Sequence, residues 1–196
     1  SDPTSYRSTV GALQYLTWTR PDLAFAVNQV CQYMHSPRTI HLQAVKRILR
    51  YLKGTVDSGL WFTKGPQFLT AWSDADWAGC PVDRRSTSGY CVFLGSNLIS
   101  WSAKKQATVA RSSTEAEYRS LAHTATELTW VCKILHDISF PLLQKPVIYC
   151  DNKSAIALAF NPVFHARTKH VEIDYHYIRE KVLLGHIGVQ HVASHL

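Results

Sequence analysis

Along the first third of the chain, hydrophobic positions recur at helical spacing. Through the middle they recur every second residue, as in strands. Tyr6 to Trp18 carries Val10, Leu13 and Leu16 on one stripe. Arg20-Pro21-Asp22 opens a second helix through Phe25, Val27, Val30 and Tyr33, with Pro21 in its first turn and Ser36-Pro37 as its break. A third helix is predicted from about Thr39 to Lys53, with Gly54 as its stop. Its apolar stripe (Leu42, Val45, Ile48, Leu49, Leu52) opposes a basic set, Lys46, Arg47, Arg50 and Lys53. Those four read either as a solvated face or as phosphate contacts.

From Leu60 the period drops to two. Strands are predicted over Leu60 to Phe62, Phe68 to Gly79, Gly89 to Leu94 and Leu98 to Trp101, the last two joined by a Gly95-Ser96-Asn97 turn. A long helix, Ser112 to about Ile138, precedes a short buried strand at Val147 to Cys150. Helices over Ser154 to Phe160 and Val171 to Leu184 follow, with Gly185 as a stop and Gly188 to Val192 as a last strand. Such a mixed order predicts an α/β fold, a sheet with helices packed on it.

Composition narrows the class. With 196 residues and 46% hydrophobic residues, the chain suffices for one full domain and a second small one, which excludes intrinsic disorder. No apolar run approaches the roughly 18 residues of a membrane span, and no basic-then-apolar leader opens the chain. A soluble, intracellular protein without membrane partners is expected. Ser1 at the start and Met34 as the single methionine suggest a piece of a longer polypeptide. The five cysteines (Cys31, Cys80, Cys91, Cys132, Cys150) form no CxxC pair and read as scattered core thiols. Of the net charge of +7, residues 1–66 supply +5, from eight Lys and Arg against three Asp and Glu. This balance favours a polyanionic partner, nucleic acid first.

Five acids attract attention. In FLTAWSDADWAG, Phe68, Thr70, Trp72, Asp74 and Asp76 share one strand face. Two carboxylates in line with large apolar residues need a metal, a basic partner or an exit into water; alternatively, they begin the turn at Ala78-Gly79. On the long helix, Glu117 lies about 60° from the centre of the apolar stripe and Glu115 about 100° from it. Glu117 therefore borders the buried face, and Glu115 points further towards solvent. Both fit capping boxes, Ser112-x-x-Glu115 and Thr114-x-x-Glu117. Asp151, between a strand and a helix, reads as an N-cap or as a carboxylate at the edge of the sheet. Hard oxygen ligands on three different elements suit Mg²⁺.

The blocks AWSDADWAGC, DRRSTSGYCVFLGSNLISWSAKKQ, RSSTEAEYRSLA, VIYCDNKSAIALAFNPVFHARTKHVEIDYHYIREK and VQHV resemble the ribonuclease H domain of plant copia-type retrotransposon polyproteins. Upstream, YRSTVGALQYLTWTRPDLAFAVNQVCQYMHSPRTIHLQAVKRILRYLKGT resembles the thumb-like end of the same elements' reverse transcriptase. The resemblance spans essentially the whole chain. It implies a helical segment over residues 1–58 and, over 59–196, a ribonuclease H-like mixed five-stranded sheet with flanking helices, lacking the last helix. It further implies cleavage of the RNA strand of RNA–DNA hybrids, leaving a 3′-hydroxyl and a 5′-phosphate. Two Mg²⁺ or Mn²⁺ ions would be held by Asp74, Glu117 and Asp151, and the rest of the reverse transcriptase polyprotein would be a partner. Expected surroundings are the cytoplasm, in a virus-like particle, or the nucleus.

The family's fourth Asp falls beyond Leu196, and His195 is matched to a loop histidine of some ribonucleases H. That departure motivates a second reading, a nucleic-acid-binding or protein-interaction module without catalysis. Arg84, Arg85, Lys104, Lys105, Arg111 and Asn152 are the expected nucleic-acid contacts, the basic ones in loops. The set His165, His170, Glu172, Asp174 and His176 fits no common zinc spacing. Trp72, Trp77, Trp101 and Trp130 are expected in the core.

Overall fold

In a computed structural model, which describes residues 2–160 and 172–193, the chain forms two compact units. The first comprises Ser1–Trp61 with Ser102–Lys104, the second Phe62–Trp101 with Lys105–Leu196.

The first unit is helical: α1 (Pro3–Leu16), a 3-10 turn (Pro21–Leu23), α2 (Ala24–Cys31) and α3 (Thr39–Gly54). Helix α1 starts earlier than periodicity predicts because the Asp2 carboxylate accepts the Thr4 and Ser5 N–H groups, with Pro3 in the first turn. Tyr6, Val10, Leu13, Leu23, Val27, Val30, Val45 and Ile48 fill the core. The buried Tyr6 hydroxyl is satisfied by the Val30 carbonyl at 2.8 Å. Arg20 forks onto Asp22 at 2.7 Å and donates to the Thr55 carbonyl at 2.8 Å, tying down the end of α3. The basic set of α3 is exposed.

The second unit carries β1 (Leu69–Asp76), β2 (Thr87–Leu94), most of β3 (Asn97–Lys105), β4 (Val147–Cys150) and β5 (Gly188–His191), with helices α4 (Ser113–Asp137), α5 (Lys153–Phe160) and α6 (Glu172–Leu183). Its sheet runs β3-β2-β1-β4-β5. Strand β1 is central, antiparallel to β2 (Asp74 opposite Gly89) and parallel to β4 (Ser73 opposite Cys150). Strand β5 extends the parallel half, with Cys150 opposite His191. This is the mixed five-stranded sheet with flanking helices of the ribonuclease H-like fold. Among the described residues, no helix is long and apolar enough to cross a membrane.

Two expectations need correction. Leu60 to Phe62 forms no strand: Trp61 is 87% exposed, so its alternation marks no buried face. Likewise, the buried face of β1 is Leu69, Ala71, Ser73 and Ala75, whereas Trp72, Asp74 and Asp76 lie on the open face. Trp72, 43% exposed, packs on Tyr149 with ring centroids 4.9 Å apart; Trp77 and Trp130 are also exposed, and Trp101 is half-buried. The core of this unit is filled instead by aliphatic residues and alanines, among them Leu69, Ala71, Leu121, Ala122, Ala125 and Leu128.

Close approach lets a side-chain network fasten α4. The Ser120 hydroxyl, fully buried, lies 2.7 Å from the Asp74 carbonyl and 3.2 Å from that of Gly89, and accepts the Ser73 hydroxyl. The Gln106 amide donates to the Ala116 carbonyl and the Ser88 hydroxyl. Replacing Ser120 by Ala leaves carbonyls short of a donor inside the interface. Urea denaturation is expected to show a loss of about 1–3 kcal/mol; an unchanged midpoint would remove Ser120 from the fastening.

Candidate active site

The carboxylates gather where β1 and β4 end and α4 begins. Glu117 lies one turn before Ser120 on the face turned to β1 and is only 6% exposed. Its Oε1 accepts the Ala75 N–H at 3.2 Å, while its Oε2 is buried without a hydrogen-bond partner. Burial first, then the negative charges of Asp74 and Asp151, push the Glu117 carboxyl up to about 7, partly offset by the Ala75 N–H. The Asp74 carboxyl is also raised, by desolvation and then by Asp151, with a smaller push from Asp76. These acids repel one another across a shared space.

Asp151 follows β4 directly. It does not cap α5: the Asn152 side-chain carbonyl accepts the Ala155 N–H at 2.9 Å and is the N-cap. Asn152, expected on the nucleic acid, thus has a structural task. Donor atoms of Glu117, Asp151 and Cys150 lie within 4.8 Å of one another, the one such group of three among the described residues. Asp74 stands outside this trio and joins it through charge. Burial first, then the neighbouring acids, push the Cys150 thiol up to about 11. Cys150 and Ser120 were not singled out from the sequence, although Ser120 sits one helical turn from Glu117 and Cys150 adjoins Asp151.

The other acids serve locally. Asp76 accepts the Thr87 N–H across the end of the β1–β2 ladder, and a Cβ at Gly79 would run into its carboxylate. Glu115 accepts the Arg111 N–H at 2.9 Å and pairs with Arg119 at 2.7 Å, while its own N–H meets the Ser112 hydroxyl at 3.1 Å. Its side chain is largely buried rather than turned to solvent, because Arg119 lies over it.

Of the expected basic contacts, Arg84 sits in a loop at φ +57° and is exposed, as is Arg111 just before α4. Lys104 and Lys105 belong to β3, not to a loop. Lys105 and Arg85 converge on Asp83, each at 2.7 Å. His195, His165 and His170 lie outside the described residues, as do the side chains of Glu172 and Asp174.

No family model matches the chain. It is 56% identical over 196 residues to the retrovirus-related Pol polyprotein from transposon RE1 of Arabidopsis thaliana, covering all of this chain and 13% of that protein. The chain belongs to the retrovirus-related Pol polyproteins of transposons. To the Pol polyprotein from transposon TNT 1-94 of Nicotiana tabacum it is 44% identical over 179 residues, 90% of this chain and again 13% of the relative. This Pol segment thus spans about an eighth of those relatives. A foamy viral protease-reverse transcriptase, solved in complex with an RNA/DNA hybrid, shares its fold at a TM-score of 0.55 and 12% identity, over 98% of this chain and 25% of that one.

The raised Glu117 carboxyl has a sign that can be tested. Its repulsion is absent below the ordinary carboxylate range, grows as pH rises and is complete above about 7. In metal-free buffer, Glu117→Gln is expected to be more stable than the parent at pH 8, by at most on the order of 3 kcal/mol. The advantage should shrink towards pH 5. Thermal melts across this range check it; a difference independent of pH would contradict a crowded Glu117.

Proposed function

We propose that this Pol segment hydrolyses the RNA strand of RNA–DNA hybrids, using two Mg²⁺ or Mn²⁺ ions held by Asp74, Glu117 and Asp151. One observation carries the reading: a buried Glu117 oxygen without a hydrogen-bond partner, on a carboxyl pushed up by burial and by the charges of Asp74 and Asp151. An unpartnered carboxylate oxygen at such a place is expensive unless a cation balances it. The donors are hard oxygens from three elements, which suits these ions. Such ions, when bound, neutralise phosphate charge and acidify a water.

The chain's own residues do the positioning. Ala75 N–H fixes one oxygen of Glu117 and leaves the other for the ion, and the Ser120 fastening holds the β1 backbone at Asp74. Asn152, not Asp151, caps α5, and Asp151 is read as a ligand. Arg84, Lys104 and Arg111 supply exposed positive charge for the hybrid's phosphates. Lys105 and Arg85, clamped by Asp83, contribute less. The open sheet face with Trp72 on Tyr149 suits the rest of the polyprotein, seven-eighths of which lies outside this segment in the relatives.

Incubation with a labelled RNA–DNA hybrid tests the activity. Cutting is expected only with Mg²⁺ or Mn²⁺, and Asp74→Asn should slow it by roughly a hundredfold or more, the scale of losing one charge-stabilising contact. Parent cutting no faster than that variant would overturn the assignment and favour the binding-module reading. Separately, hybrid affinity is expected to fall linearly with log salt, and Arg84→Ala should reduce that slope by about 1. An unchanged slope removes Arg84 from the interface.

A further inference from the structure

We propose that Cys150, with Glu117 and Asp151, forms a second, overlapping site for thiophilic divalent ions such as Zn²⁺ or Cd²⁺, whose occupation excludes the hard ions. The proposal rests on reading Glu117 and Asp151 as metal ligands, and adds a donor of different chemistry to them.

Cys150 ends β4 with its side chain fully buried. Its sulfur lies within 4.8 Å of a carboxylate oxygen of both Glu117 and Asp151. Zinc bonds of about 2.3 Å to sulfur and about 2.0–2.2 Å to oxygen place tetrahedral donors roughly 3.5 Å apart. A contraction of about 1 Å therefore closes the trio on one ion. The thiol sulfur accepts a long hydrogen bond from the Asn152 N–H, 3.4 Å, which a metal–sulfur bond readily replaces. Independently, Glu117, more than nine-tenths buried, aims an unpartnered oxygen into the same space.

Ligand softness separates the two classes of ion. Mg²⁺ takes oxygens and ignores a thiol, so Cys150 stays neutral beside it. A soft or borderline ion forms a sulfur–metal bond as the S–H proton leaves to solvent, and its charge offsets the nearby acids. Because Glu117 and Asp151 serve both classes, one excludes the other.

Cd²⁺ titration of the metal-free chain, followed by ultraviolet cadmium–thiolate charge-transfer absorption, reads the site without reference to nuclease activity. One equivalent of strong absorption is expected in the parent and in a Cys80→Ser control. Both Cys150→Ser and Glu117→Gln should bind at least roughly tenfold more weakly, the lower end of losses from altered metal surroundings. Glu117→Gln leaves all five thiols in place and so separates ligand loss from altered packing at Cys150. Zn²⁺ should inhibit hybrid cutting in the parent, and at least tenfold more zinc should be needed in Cys150→Ser. Undiminished absorption in either variant overturns the site. Absorption that depends on Cys150 and Glu117 in a chain that cuts no hybrid would uphold this site while refuting the nuclease reading.

Discussion

Helix α4 approaches β1 so closely that a glutamate side chain reaches the strand's backbone, and the arrangement around the carboxylates depends on that contact. The Ala75 N–H meets Glu117, and one helical turn on, the Ser120 hydroxyl meets the Asp74 carbonyl. Both bonds lie beside a tightly filled core in which Ala71, Leu121, Ala122 and Ala125 are fully or almost fully buried. A larger side chain at a fully buried position such as Ala71 has no free space to enter and must displace its neighbours. Packing density and site geometry are therefore one constraint, read at two places on the same helix.

Electrostatics works against the fold at this point. Desolvation and like charges raise the Glu117 and Asp74 carboxyls together. Such a cluster costs stability when ionised and empty, as expected of a place built to receive positive charge. Elsewhere, charges are matched: Asp83 gathers Arg85 and Lys105, Glu115 holds Arg119, and Arg20 holds Asp22. The contrast distinguishes the carboxylates with paired cations from those without.

Much of this was legible in the residues. The order of elements follows from periodicities of two and 3.6, and the burial of Glu117 follows from its place beside the apolar stripe of its helix. What failed has physical reasons. The aromatic run at Leu60 to Phe62 looks like a strand, but hydrophobicity does not report whether a neighbouring strand exists to pair with it. Four tryptophans look like core because area is worth burying, yet Leu69, Val92, Leu121, Leu128 and Ile148 already fill the core around α4, a fact of three-dimensional spacing. Glu115 was placed towards solvent because angle ignores Arg119, which folds back over it. Cys150 passed for an ordinary core thiol because its proximity to Glu117 is made by tertiary folding.

Asn152 carries a consequence beyond its hydrogen bond. Two adjacent residues, Asp151 and Asn152, are both chemically suited to start a helix, and only one can occupy that place. By taking it, Asn152 settles a competition that the aspartate would otherwise be free to win. If position 152 lost its acceptor, the helix could recruit the neighbouring carboxylate by starting one residue earlier, and the charge would turn from the shared space to the backbone. The amide thus keeps the capping role from passing to its neighbour's carboxylate.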